Sequence, residues 1–203
     1  MEIPTRKEFL KGISYYERRE KRDAMYKIAT FHVQRFWGNP SEMANGLGVL
    51  LLNWNQAFYR FGSFDFDKLE NCIAKNIHKL NSFRKRNIST LSSADEYEIK
   101  DLFTKFLKAL QIDSGKKRGT KSPVAVAKAL HLLAPNFFPL WDHEIASAYG
   151  YHYNQKPADN YFSFCNIIKT VAGKVKNYIA RKDKTVIRFI DEYNYSRYTQ
   201  GWV

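Results

Sequence analysis

The chain has 203 residues, 44% of them hydrophobic and 16% aromatic, with a formal net charge of +13. That is enough apolar material for one domain, or two small lobes around a cleft, with a real core, and it excludes a disordered chain. Cys72 and Cys165 lie far apart without metal-ligand spacing, which excludes a disulfide scaffold and an iron–sulfur cluster, and no apolar run approaches the roughly 20 residues of a membrane span. Cysteine usage and the absence of a basic-then-apolar opening stretch predict a soluble, cytoplasmic protein without a membrane partner. The excess of Lys and Arg predicts attraction to polyanions, nucleic acid first among them.

In chain order, a charged helix is predicted from about Thr5 to Asp23, with Phe9, Leu10, Ile13 and Tyr16 as its apolar stripe and Arg6, Lys7, Lys11, Arg18, Arg19, Lys21 and Arg22 on the other face. A second helix, Ala24 to Trp37, ends at the stop signal Gly38-Asn39-Pro40. Ser41 opens a third. Within it the apolar run Leu47 to Leu52 gives way abruptly to Asn53-Trp54-Asn55-Gln56-Ala57-Phe58-Tyr59-Arg60, which Gly62 ends. An apolar helix that emerges into amides, aromatics and an arginine reaches a surface or a cleft there. Asn55 and Gln56 have two readings, as satisfiers of nearby backbone groups or, beside Tyr59 and Arg60, as groups that meet base edges and phosphates.

An amphipathic helix follows from Asp67 to about Phe83, with Leu69, Ile73, Ile77 and Leu80 inward, and then the basic cluster Arg84-Lys85-Arg86. Ser93 to Glu96 reads as a capping box for a helix reaching Gln111, buried along Ile99, Leu102, Phe103, Phe106, Leu107 and Leu110. The linker Asp113 to Thr120 holds Gly115, Lys116, Lys117, Arg118 and Gly119. Helix, basic glycine-containing turn, helix is a hairpin suited to a phosphate backbone, although a solvated loop between two helices has the same pattern.

Ser122 and Pro123 cap and open the next helix, whose run from Val124 to Ala134 predicts burial almost all round. Pro135 stops it, Asn136 to Trp141 is an apolar connector, and Asp142 stands at the start of a short helix that Gly150 ends. As an N-cap, Asp142 accepts hydrogen bonds from the first turn. The same amides and the helix dipole suit a carboxylate that must stabilise a cation, so the two readings are compatible. The loop Tyr151-His152-Tyr153-Asn154-Gln155-Lys156-Pro157 is dense in stacking and hydrogen-bonding side chains. Helices from about Ala158 to Arg181 and Thr185 to about Tyr195 complete an all-α chain. His32, His78, His131, His143 and His152 show no paired ligand spacing, which argues against a metal or other cofactor, and His131 reads as a hydrogen-bonded core histidine.

LLLNWNQAFYR followed by several helices, a basic hairpin and SPVAVAKALHLLAPNFFPLWDHEIASAYG resembles the helix-hairpin-helix DNA glycosylase superfamily. The resemblance covers about residues 44 to 150. It implies two helical lobes around a cleft in one globular unit, residues 44–139 with a hairpin at about 112–124 forming the middle lobe and 1–43 plus 140–203 the other. It places the catalytic aspartate on Asp142, the amide motif on Asn55 and Gln56, and the DNA-gripping hairpin on roughly Ser114 to Val124, with Gly119 equivalent to one glycine of the family's two-glycine turn. Where members also cleave the abasic site, the Schiff-base lysine falls nearest Lys121, 21 residues before Asp142.

The resemblance therefore implies a monomeric enzyme on double-stranded DNA that flips out and excises a damaged or modified base, in repair or in defence against modified phage DNA. Asn55, Gln56, Tyr59 and Trp141 would form the pocket or wedge, with core packing the first reading of Trp141. Arg60, Lys116, Lys117, Arg118 and Gly119 would hold the backbone. Asp142 would stabilise the sugar cation or align water. The shifted Lys121 spacing favours a monofunctional enzyme over one with lyase activity. A non-catalytic nucleic-acid-binding module and an unrelated helical interaction protein are the alternatives.

Overall fold

The computed structural model describes residues 3–203, and these form an all-α fold. The helices are α1 Arg6–Arg19, α2 Asp23–Arg35, α3 Pro40–Trp54, α4 Gln56–Tyr59, α5 Phe66–Arg84, α6 Glu96–Ala109, α7 Pro123–Leu133, α8 His143–Ala148, α9 Pro157–Val175 and α10 Val186–Asn194. A π-turn, Tyr195–Thr199, continues α10. No helix among the described residues is long and apolar enough to cross a membrane.

Local chemistry fixes most of the helix starts. Thr5 and Glu8 form a reciprocal capping box at α1, and Asn39 caps α3 ahead of Pro40. Ser122 Oγ accepts the Ala125 amide at 3.2 Å, and Pro123 takes the first position of α7, where its missing N–H costs nothing. The box before α6 sits one residue earlier than predicted, between Ser92 and Asp95, and opens a single 3₁₀ turn, Ser93–Asp95, so that α6 starts at Glu96. Asp95 wins over Glu96 because its carboxylate takes the Ser92 amide at 2.8 Å and also the two-pronged Arg86 guanidinium at 2.6 and 2.8 Å. The helix predicted to end at Gly62 breaks earlier, at Asn55, where the backbone leaves helical geometry before the single turn of α4. The helix predicted to reach Arg181 ends at Val175, in a 3₁₀ turn over Lys176–Tyr178.

The centre of the molecule is α7. Pro123 and every residue from Ala125 to Leu133 are buried. It packs on α3, α6 and α2, and one continuous apolar core runs from Phe9 to Tyr193. The segments α2 and α9, grouped by sequence with the terminal lobe, pack chiefly on α3 and α6 of the middle lobe. The terminal group proper is α1 against α10, with the π-turn lying on α1 and α8. His131 is fully buried, its two ring nitrogens bonded to the Phe138 carbonyl at 2.8 Å and the Tyr26 hydroxyl at 2.9 Å. Burial pushes its pKa down to about 3, so it is a neutral core histidine.

Candidate active site

The site lies where the C-terminal end of α3, the face of α7, the start of α8 and α10 meet. On α7 a single charged residue, Lys128, interrupts the apolar run and is only 9% exposed. Its ammonium donates to the Trp54 carbonyl at 2.7 Å and to Asn55 Oδ1 at 3.1 Å. The Trp54 carbonyl belongs to the last turn of α3, where carbonyls lack helical partners and the dipole favours a cation. Asn55 Nδ2 in turn donates to Ser122 Oγ at 3.1 Å, tying the end of α3 to the cap of α7. Both partners of the ammonium are neutral. Burial therefore dominates and pushes the lysine down to about 8, although Asp142 and Asp191 pull the other way.

Asp142 caps α8, with Oδ1 accepting the Ile145 amide at 2.8 Å and Oδ2 accepting the Thr199 hydroxyl at 2.6 Å. The apolar segment before it places the carboxylate beside Trp141, which is buried, donates its indole N–H to the Pro123 carbonyl at 3.3 Å, and packs edge-on to Tyr161. Lys128, Asp142 and Asp191 share a cavity of about 50 Å³ with Trp54 and Trp141 among its walls. On the side where Arg22 is exposed, Arg22, Glu20 and Tyr195 line the same cavity and bond to one another at 2.7 to 3.0 Å. Asp191, 8% exposed, bonds through Oδ2 to Arg188. Burial is the largest influence on it and raises its pKa to about 7.

Of the residues singled out in sequence, the structure brings Asp142 and Trp141 to this cavity and places Asn55 directly behind it, on Lys128. Tyr59 is elsewhere: it is buried, with its hydroxyl donated to the Leu110 carbonyl at 2.9 Å, so it is a core residue and not a wedge. Gln56 and Arg60 are exposed, with Arg60 lying over the Phe61 ring. Tyr151 and Tyr153 do not line the cavity, and Tyr153 packs against His143. Lys121 is exposed and away from the cavity. The lysine that reaches it is Lys128, about two helical turns further on. Sequence reasoning passed over Lys128 and Asp191. The available signal for the first was a lone charge inside PVAVAKALHLL, a helix read as buried on all sides.

The hairpin between α6 and α7 is closed by backbone bonds from Ile112 to the Thr120 carbonyl at 2.9 Å and from Gly119 to the Ile112 carbonyl at 2.7 Å. Gly115 and Gly119 have φ of +83° and +84°, conformations that favour glycine. At Gly115 a Cβ would also lie 2.4 Å from the Phe61 carbonyl oxygen, so the loop rests directly on the chain around Gly62. Lys116, Lys117 and Arg118 are exposed at its tip, Lys117 over Phe61 at 4.4 Å. The amides of Gly115, Lys116 and Lys117 donate no hydrogen bond within the described residues. The tip thus offers cations and unengaged N–H groups together, the donor set that phosphate oxygens accept from.

No group of three or more His, Cys, Asp or Glu among the described residues could hold a metal ion. No protein-family model matches the chain, and no curated protein or solved structure matches it.

Proposed function

We propose that the protein is a DNA glycosylase that turns a damaged or modified nucleotide out of duplex DNA and breaks the bond between its base and deoxyribose. The observation that carries this reading is the pairing, on one small cavity, of a carboxylate at a helix N-terminus, Asp142, with a lysine driven towards its neutral form, Lys128. Departure of a base leaves positive charge on the sugar. A fixed carboxylate in water-poor surroundings stabilises that charge, and a neutral amine can attack the same carbon. Burial pushes Lys128 down to about 8, so it gives up its proton far more readily than a free lysine does. The exposed basic hairpin, about half the length of α7 from Lys128, supplies the contact with the DNA backbone.

At about 50 Å³ the cavity is far smaller than the several hundred Å³ of an ordinary ligand pocket, too small as it stands for a nucleobase. A flipped base therefore enters by parting the hydrogen-bonded cluster of Glu20, Arg22 and Tyr195, whose exposed member is Arg22. The energy for this comes from DNA binding outside the cavity, as with any closure that the substrate completes.

The test is incubation with duplexes carrying oxidised, alkylated, mismatched or bulky modified bases, scored for abasic sites, and with a preformed abasic duplex under borohydride. We expect abasic sites on one class and a reduced covalent adduct that Lys128→Ala abolishes and Lys121→Ala leaves intact. Abasic sites without any adduct would assign water as the nucleophile. Neither product on any duplex would overturn the reading.

A further inference from the structure

We propose that Asp191 is the acceptor of the proton Lys128 must lose, the catalytic residue that makes the buried amine nucleophilic in this cavity. The inference rests on the glycosylase reading above. Lys128 is held by the Trp54 carbonyl and Asn55 Oδ1, and neither amide oxygen can take a proton from an ammonium. The acceptor must be a carboxylate on the cavity, and there are three: Glu20, Asp142 and Asp191. Glu20 is engaged by the Arg22 guanidinium and the Tyr195 hydroxyl. Both oxygens of Asp142 are occupied, by the Ile145 amide and the Thr199 hydroxyl. Asp191 alone keeps an oxygen, Oδ1, that takes no hydrogen bond from any described residue, because Arg188 bonds to Oδ2.

The remaining charged and titratable neighbours are consistent with this. Lys128 faces Asp142, Asp191 and Arg22, and Asp191 faces Arg188, Glu192, Asp142 and Lys128. Glu192 is paired with Lys184 and Arg188, and burial pushes the Tyr16 and Tyr195 hydroxyls up, so they remain protonated donors. Burial brings the amine and the carboxyl to nearly the same proton affinity, about 8 against about 7. The gap between the two is thereby much narrowed. For a free lysine and aspartate the gap is more than six powers of ten.

The step balances. An N–H bond of the Lys128 ammonium breaks and the proton goes to Asp191 Oδ1. The amine lone pair then forms the bond to C1′ as the C1′–N bond to the base breaks. The base leaves with the bonding pair and takes the proton from Asp191, which restores the carboxylate and leaves a protonated secondary amine on the sugar.

The test sets two consequences of Asp191→Asn against each other. Asp191 raises the Lys128 pKa, so a purely electrostatic Asp191 makes the Asn variant richer in free amine and faster at forming adduct below about pH 8. A proton acceptor predicts the opposite in the window between about pH 7 and 8, where Asp191 is ionised and Lys128 still charged: adduct formation with the abasic duplex slower by at least tenfold, although the Lys128 midpoint falls. An Asn variant as fast as wild type would overturn the proposal. The midpoint is read independently from the ¹³Cε shift of Lys128, which should titrate in two steps in wild type and one in the variant. Single-step titration in wild type also overturns the pairing, whatever the enzyme does. Two-step titration with no adduct in wild type would instead locate the failure in the glycosylase reading. If Asp191→Asn does not fold, Asp191→Glu keeps an acceptor and should retain adduct formation at a reduced rate, and a complete loss there would count against the proposal.

Discussion

Arg188 and Lys128 are two buried cations a few side chains apart, both in contact with the Trp54 region and both neighbours of Asp191. Arg188, 1% exposed, has three carboxylates around it, Asp191, Asp23 at 2.6 Å and Glu192 at 3.4 Å, and also donates to the neutral Tyr16 hydroxyl at 2.6 Å. Its guanidinium also lies over the faces of Tyr26 and Trp54, at 4.3 and 5.2 Å. Lys128 is also buried, at 9% exposed, and has only neutral acceptors. Carboxylates hold Arg188 well above its ordinary pKa against the pull of burial, whereas burial wins at Lys128. The difference separates a strut from a reagent. A guanidinium cannot give up its proton in a protein, so it suits a permanent ionic knot, and a lysine left without anionic contacts becomes an amine with chemistry.

The comparison breaks most easily in stability. Arg188→Leu leaves Asp23, Asp191 and Glu192 without their common partner, and we expect a loss of about 3–5 kcal/mol in urea unfolding. Lys128→Met removes a poorly solvated ammonium but orphans two acceptors, and should change stability by no more than about 1 kcal/mol. Linkage sharpens this. The Lys128 pKa is about 8 in the folded chain against 10.5 for a free lysine, so between those values the unfolded chain binds the extra proton and stability rises with pH. The wild type should gain on the order of 3 kcal/mol relative to Lys128→Met between about pH 7 and 11. A difference that is flat with pH, or equal losses in the two variants, would erase the distinction.

Asp142 tests the chemical half of the contrast. Asn is also a good N-cap, and its Oδ1 can keep the Ile145 amide, so Asp142→Asn should shift stability by less than about 1 kcal/mol. Removing the charge should lower base excision by about 10²–10³-fold. Full activity in this variant would leave Asp142 as a cap and nothing more, and a large fall in melting temperature would show that its bond to Thr199 holds the π-turn on α8.

The fold was legible because its punctuation is local. Thr5, Ser122-Pro123 and Asp142 each announce a helix start through bonds made within three residues, and each does so in the structure, whereas Asn39, read as part of a stop signal with the next helix opening at Ser41, is the cap of α3. Of the candidate site, Asp142 was the residue legible by the same local rule. Asn55 was chosen for its neighbours, and its position depends on bonds to Ser122 and Lys128, 67 and 73 residues away. Tyr59 went wrong for the same reason, since a tyrosine beside an arginine gives no sign that its hydroxyl will reach the Leu110 carbonyl inside the core. Lys121 was named because the resemblance puts the Schiff-base lysine at the start of the second hairpin helix, and Lys128, a lone charge in an apolar run, was passed over. What makes Lys128 special is long-range: the open carbonyl of α3 and two carboxylates from α8 and α10.

A third class of cation completes the comparison, with the smallest expected energy per residue. Lys116, Lys117 and Arg118 are exposed and make no ion pair among the described residues. Lys117 has the Phe61 ring beneath it, a contact worth about 0.5–1 kcal/mol at such a site. Replacing all three by Ala should therefore lower stability by at most about 1 kcal/mol. Binding is another matter, because each phosphate neutralised adds about 0.9 to the slope of log affinity against log salt. If all three cations meet phosphates, the triple variant should bind duplex DNA with a slope shallower by up to about 2.7, and the deficit should vanish as salt approaches molar concentration. At saturating DNA its rate of adduct formation should match wild type, since none of the three lines the cavity. A slope unchanged by the substitution would move the DNA to another face, where α1 presents Lys7, Lys11, Arg18 and Arg19, all exposed. A saturating rate that falls with the affinity would mean that the hairpin helps to open the cavity as well as to hold the duplex.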